Sequence, residues 1–326
     1  MATGIVSVAV VDLHLRTVSL GLLGIAGAIY VALVAASVWR VVAFPEAVRS
    51  DLADAARSFG VLTFVAATDV LGDGLEQHGW RTPAWILLGV GSVSCLVLGV
   101  LVPCEALRAG RHRLASAHVN GTWFLWIVSC QSVALLMAFL QPTAGHGGQT
   151  LAHLAVVLWC AGIVGYAVVA SLVVVGLVRD GLRPHALTPP YWVAMGAIAI
   201  TIVAGSRIVG MEAALSARAN ARIEDLCLVL WLICTALVPL LIAVGVWRHV
   251  VHRIPLRYEP AFWSLVFPVG MYSVAGQYLG AVDGRGALAS VGTDGAWVAL
   301  VVWAVVFGAM LQNRFPRREG AEPSGR

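Results

Sequence analysis

Charge is what this sequence has least of. Only 12% of its 326 residues are charged, about half the ~25% usual in a soluble domain. Lysine is missing altogether: all 21 cationic residues are arginine. There is no CxxC pair among the six cysteines at 95, 104, 130, 160, 227 and 234. Nearly all of these lie inside apolar stretches, where thiols behave as small hydrophobes, so neither a disulfide nor a metal centre is expected. No P-loop, HExxH or GxSxG occurs. The chain is therefore not an ATP-driven pump by itself, and no cofactor is expected. The period-2 alternation of an outer-membrane β-barrel is also missing.

What is present is apolar sequence in long blocks. The residues are 60% hydrophobic and the mean hydropathy is +0.87. The blocks match the ~20 residues that cross a bilayer. The reading is an all-α polytopic membrane protein in the lipid bilayer, with a single transmembrane domain over 1–313. Ten segments are expected, at 1–12, 17–43, 57–75, 82–104, 120–141, 150–178, 189–209, 224–250, 259–281 and 294–313. The polar, Pro- and Gly-containing tail at 314–326 is expected to be disordered. The first segment, "MATGIVSVAVVD", gives only about 18 Å of helix against a core of about 30 Å.

Arginine placement predicts orientation. Fifteen of the 21 arginines fall in the loops after the second, fourth, sixth and eighth segments and in the tail. Six lie on the opposite side: Arg16, Arg81, Arg207, Arg218, Arg222 and Arg285. Both termini are thus expected in the cytoplasm, in a plasma or inner membrane. The basic balance reflects topology and does not indicate nucleic-acid binding.

A weak internal repeat follows. "NGTWFLWIVSCQS", "TPPYWVAMGAIAI" and "YEPAFWSLVFPVG" each place turn residues, then a tryptophan (Trp123, Trp192, Trp263), then small residues. Aligning the tryptophans puts Ile127, Gly196 and Phe267 at one level. The even segments are bulkier. Small and hydroxyl residues suit close helix contacts or a polar path, and Leu/Val runs suit lipid. Helical hairpins with odd segments inside and even segments outside are expected. Thr63, Gln131, Ser132, Thr201 and Ser264 on the odd segments are candidates to line a neutral path; alternatively such groups bond their own helix or a neighbour. Gly196 and Gly270 add small positions. Asp69 is the carboxylate best placed for proton coupling. Arg207 could attract anions at a mouth, pair with Asp69, or snorkel. His249 and His252 have metal-pair spacing without a third ligand nearby and read as a basic flank. Pro268 in "SLVFPVGMY" is expected to bend its helix and push Phe267 from helical geometry.

"MATGIVSVA", "RSFGVLTFVAATDVLG", "NGTWFLWIVSCQSVALL", "PPYWVAMGAIAITIVAG" and "FWSLVFPVGMYSVAGQYLG" together resemble the tellurite-resistance/dicarboxylate transporter family. That family takes in bacterial TehA, fungal malate and sulfite carriers, and plant slow-type anion channels. The resemblance implies ten helices as five hairpins around a central pore, in a homotrimer with one pore per subunit. It implies that a phenylalanine of the ninth helix, here Phe267, plugs the pore, with Pro268 matching the plant channels. It also implies that "MATGIVS" lies partway along a first helix, preceded by roughly ten more apolar residues. The function implied is transport of small inorganic anions or C4-dicarboxylates, without enzymatic activity. One alternative is a proton-coupled dicarboxylate, malate or sulfite carrier using Asp69. A more remote alternative is a membrane-embedded enzyme or structural subunit.

Overall fold

The computed structural model describes residues 1–314 except 12, 55, 112–118, 212–214, 283 and 285. The expected disordered tail lies outside the described residues from 315 onward. Eleven α-helices follow one another: α1 (Ala2–Val11), α2 (Arg16–Ala43), α3 (Pro45–Ala53), α4 (Thr63–Gln77), α5 (Arg81–Arg111), α6 (Phe124–Leu140), α7 (Gly148–Asp180), α8 (Trp192–Val209), α9 (Ala217–Val246), α10 (Trp263–Val282) and α11 (Gly286–Arg314). Among the described residues there is no strand, and nine helical spans are long and apolar enough to cross a membrane. α1 is apolar but has only 10 residues.

Consecutive helices pair as five hairpins: α1 with α2, α4 with α5, α6 with α7, α8 with α9 and α10 with α11. The first member of each hairpin also packs on the first members of the hairpins to either side, in the closed order α1, α4, α6, α8, α10 and back to α1. No pair across this ring is in comparable contact among the described residues. Burial separates the two sets. In the long inner spans 61 to 83% of residues are covered, against 11 to 22% in the outer ones. The odd segments are therefore the inner ring, and the Leu/Val-rich even segments form the lipid-facing shell.

Four inner helices open through a 3₁₀ turn: Ser58–Leu62, Gly121–Trp123, Pro189–Tyr191 and Pro260–Phe262. These turns touch in sequence to form a collar at one end of the ring. Gly121 is needed there, because a Cβ would lie 2.2 Å from the Pro190 carbonyl oxygen. Asn120 caps its turn through Thr122 N–H at 2.9 Å, and Phe59 stacks on Trp123 at 4.4 Å between centroids. Phe59 thus takes the aromatic place in the fourth opening, which the sequence repeat did not include.

Three features differ from expectation. α7, α9 and α11 each begin earlier than the apolar blocks that mark them, α9 at a cap where Ser216 accepts from Ala219 N–H. Helical hydrogen bonding continues through polar residues that a hydropathy reading trims away. The second difference is α3, a short helix begun by Pro45. Proline suits a first helical turn, where its missing donor costs nothing. The third is α10, which runs through Pro268 without a break, Phe267 included. Membrane helices tolerate an internal proline when neighbours cover the freed backbone groups, and α1, α8 and α11 all pack on α10.

The closest pairing is α10 with α11. A Cβ on Gly292 would stand 2.4 Å from Gln277 N and 2.7 Å from the Ser273 carbonyl oxygen, while one on Gly21 would meet nothing within 4 Å. Gly292→Val should therefore destabilise the detergent-solubilised protein by at least the ~1–3 kcal/mol of overpacking, since backbone cannot yield as a side chain can. Gly21→Val should leave the thermal midpoint within about a degree. Equal midpoints for both variants would contradict the packing.

Candidate functional site

Phe267 has no exposed surface. Its ring and that of Pro268 lie against the backbone of α8 at Gly196. A Cβ there would come within 3.1 Å of Phe267 Cε1 and of Pro268 Cγ. Three of the residues read from the sequence thus meet at one level. Gly270, one turn from Val266, admits α1, with Ile5 Cγ2 2.9 Å from where a Cβ would be. Ile127 is buried and approaches Gly165 of α7. Thr63 and Ser264 are half-buried at the collar ends of α4 and α10.

The amide and hydroxyl groups make definite bonds between helices. Gln131 Nε2 donates to the Trp159 carbonyl on α7 at 3.1 Å, and Trp159 Nε1 donates to the Thr201 carbonyl on α8 at 2.8 Å. Thr201 Oγ1 donates to Ala197 of its own helix. Glycines make room for this bridge: a Cβ on Gly162 would lie 2.3 Å from Gln131 Nε2, and one on Gly205 3.0 Å from Trp159 Cζ2. Trp159 was not singled out by sequence, because a tryptophan in mid-helix reads as bulk. Ser7 and Ser19 exchange hydroxyl-to-carbonyl bonds at 2.7 and 2.9 Å across the first hairpin. Ser273 Oγ donates to Gly292 O at 2.6 Å across the last.

Asp69 is fully buried and points at α5 and α6. Ser132 Oγ donates to its Oδ2 at 2.8 Å, and its Oδ1 occupies the space that a Cβ on Gly91 would need. One turn on, Asp73 is 3% exposed. One oxygen of each carboxylate is buried without a partner. Sequence reading singled out Asp69 and passed over Asp73. The i, i+4 spacing that puts both on one stripe was the available signal.

Arg207 stands apart from Asp69. Its guanidinium lies over the rings of Phe139 and Tyr278, at 3.8 and 4.2 Å from their centroids. Its Nη2 donates to Tyr278 Oη at 2.7 Å, which also accepts from Gln77 Nε2 at 3.0 Å. This cluster ties together the ends of α4, α6, α8 and α10 away from the collar. Ion pairs among the described residues involve Arg40 with Asp51, Arg57 with Asp51 and Asp54, and Arg108 with Glu105, all at the other end. His249 Nδ1 is 2.9 Å from Ile254 O and His252 packs on Trp247. Among the described residues no three His, Cys, Asp or Glu side chains converge to hold a metal.

Ten apolar helices in five hairpins, the first of each forming a closed ring, define a multi-pass membrane transport protein. Residues 1–311 match the family model described as SLAC1, voltage-dependent anion channel, and the chain belongs to that family, which also contains TehA. It is 47% identical over 149 residues to the uncharacterized membrane protein Rv1735c of Mycobacterium tuberculosis strain H37Rv, covering 45% of this chain and 76% of the relative. The same figures hold for its counterpart MT1776 in strain CDC 1551 / Oshkosh. The uncharacterized transporter MJ0576 of Methanocaldococcus jannaschii is 21% identical over 276 residues, covering 82% of this chain and 76% of the relative. This is a channel and transporter family, and its members move anions and other solutes across membranes without enzymatic chemistry.

Proposed function

We propose that the chain conducts small anions along the axis of its inner ring, and that Phe267 blocks that path at rest. The observation that carries this reading is the seat of the Phe267 ring against Gly196, in a ring of five helices whose polar side chains are largely turned to neighbouring helices. A path left with few polar groups at one level, closed by an aromatic ring, is a hydrophobic constriction that stops ions by dewetting. Inorganic anions and C4-dicarboxylates are the substrate classes the resemblance supports, with tellurite resistance as a consequence of permeability. Thr63, Ser264, Gly196 and Gly270 remain the small and polar positions proposed beside the path. A homotrimer with one path in each subunit is part of the same reading.

Phe267→Ala reconstituted in liposomes should raise anion flux by on the order of tenfold or more by removing the constriction. Phe262→Ala, in the collar turn, should not. Unchanged flux through a folded Phe267→Ala protein would end the gate assignment.

The arginine bias places the collar, the α3 helix and both termini in the cytoplasm. A membrane-impermeant thiol reagent should then reach a cysteine placed at Gly147 in intact cells, in a background lacking exposed native cysteines. It should not reach one at Leu182. Both positions are exposed in the fold, so the reverse pattern would invert the topology.

The two buried carboxylates favour a second reading, a proton-coupled carrier. Intramembrane carboxylates are costly and usually functional, and each of these has an oxygen without a partner. If Asp69 carries the coupled proton, Asp69→Asn should abolish anion-dependent proton uptake in pH-jump liposome assays while leaving a residual anion leak. Uptake equal to that of the unaltered protein would rule Asp69 out and leave the channel reading.

A further inference from the structure

α5 carries Gly91, Cys95 and Gly99 at successive turns along one stripe. Both glycines mark where the helix meets its neighbours. A Cβ on Gly91 would collide with Asp69 Oδ1 of α4, and the other oxygen of that carboxylate accepts from Ser132 of α6. A Cβ on Gly99 would lie 3.6 Å from Trp126 Nε1 of α6. Passing along α5 from Gly91 to Gly99 therefore means passing along α6 from the level of Ser132 to that of Trp126. Cys95, halfway, comes level with Ser129 and Cys130.

The side chains meet there. The Cys95 thiol is in hydrogen-bonding contact with the Cys130 thiol and with Ser129, and Cys130 contacts Ser129 as well. Ser129 Oγ gives its own proton to the Trp126 carbonyl at 2.7 Å, so towards the thiols it is an acceptor. Cys95 is buried and Cys130 is partly exposed; a small reagent meets Cys130 first. The other cysteines are placed differently. Cys227 and Cys234 are buried and donate to the Ile202 and Met195 carbonyls of α8. Cys104 and Cys160 are exposed on the outer helices α5 and α7. Among the described residues no third metal-ligating side chain completes a site with Cys95 and Cys130.

We propose that Cys95 and Cys130 form an oxidation site, which a peroxide converts into a disulfide fastening α6 of the inner ring to α5 of the shell. The peroxide first oxidises the Cys130 thiol to a sulfenic acid and leaves as water. The Cys95 sulfur then attacks the Cys130 sulfur and displaces a second water. Two thiols and one peroxide thus give one disulfide and two waters, and the peroxide takes the two electrons. The product suits the place. A sulfinate or sulfonate would bury a charge among apolar helices, which is costly, whereas a disulfide carries none. Gly91 and Gly99 hold the helices close on either side of Cys95, as a bond of fixed, short reach requires. No CxxC motif announces the pair, because its members come from different hairpins. The inference depends neither on the Phe267 gate nor on a proton carried by Asp69.

The test is to treat the purified full-length protein in detergent with hydrogen peroxide and to map its peptides, unreduced, by mass spectrometry. A peptide pair joined through Cys95 and Cys130 is expected, lighter by two hydrogens than the separate thiols and released by dithiothreitol. It should form on the order of tenfold faster than any pairing within the chain that uses Cys104, Cys160, Cys227 or Cys234, since thiol exchange follows access and proximity. The cross-linked protein should melt a few degrees higher than the reduced one. In Cys95→Ser the Cys130 sulfenic acid should persist and be trapped by dimedone. In Cys130→Ser the Cys95 thiol should stay reduced at the same dose. Free Cys95 and Cys130 thiols after the exposed Cys104 and Cys160 have been oxidised would overturn the assignment. So would equally fast pairing with any other cysteine of the chain. Both results are read on the unaltered protein, so they decide the matter even if a variant does not fold.

Discussion

The structure depends on how its inner helices dispose of their polar side chains in a solvent that accepts none. Lipid offers no hydrogen bonds, so a buried amide, hydroxyl or indole is stabilised only by a partner on a neighbouring helix or on its own backbone. Here those partners are mostly main-chain carbonyls, and they run across the seams between helices: Ser7 with Ser19, Gln131 with Trp159, Trp159 with Thr201, Ser273 with Gly292. Each such bond contributes only about 0.6 kcal/mol on average inside a membrane. A few of them cannot hold ten helices together by strength alone. Their effect is on register, because a carbonyl can be reached from one height and one face only.

Glycine supplies the complementary half. Gly162, Gly205 and Gly292 stand where a Cβ would collide with the very groups that make or flank these bonds. Close approach and hydrogen bonding therefore specify one another. The outer helices carry no such demand over most of their surface, which explains why so much of it is exposed Leu, Val and Ile. In the inner ring the same economy leaves Phe267 and Gly196 facing each other without a polar group between them.

The ends of the ring differ in chemistry. The collar end holds most of the arginines and all of the ion pairs seen among the described residues. At the opposite end the Arg207 guanidinium is clamped between Phe139 and Tyr278, and among the described residues no carboxylate lies within ion-pair reach of it. Ion pairs at an exposed surface contribute little to stability, whereas a half-buried unpaired cation shapes the field that an approaching anion meets. Two carboxyl side chains, Asp69 and Asp73, are buried one turn apart on α4.

Much of this architecture was legible in the sequence. Apolar block length fixes the number of spans, because a bilayer has one thickness. The contrast between small, hydroxyl-bearing odd segments and Leu/Val-rich even segments tells inside from outside, because lipid and helix contacts select different side chains. The alignment of tryptophans brought Gly196 and Phe267 to one height. Facing and partner choice were not legible. Ile127 shares that height yet turns to Gly165 of α7, and Gln131 and Thr201, equally polar on paper, are tied to α7 and to their own helix. Pro268 reads as a break, yet α10 continues through it under the cover of three neighbours. Arg207, Phe139 and Tyr278 come from three helices spread over more than a hundred residues of chain, with no shared motif. The sequence by itself determined how many apolar segments there are and which of them lie inside, since those follow from the solvent. Only the tertiary structure decided which side chains meet, since a rotation of one helix by a single residue, about 100°, exchanges every partner it has.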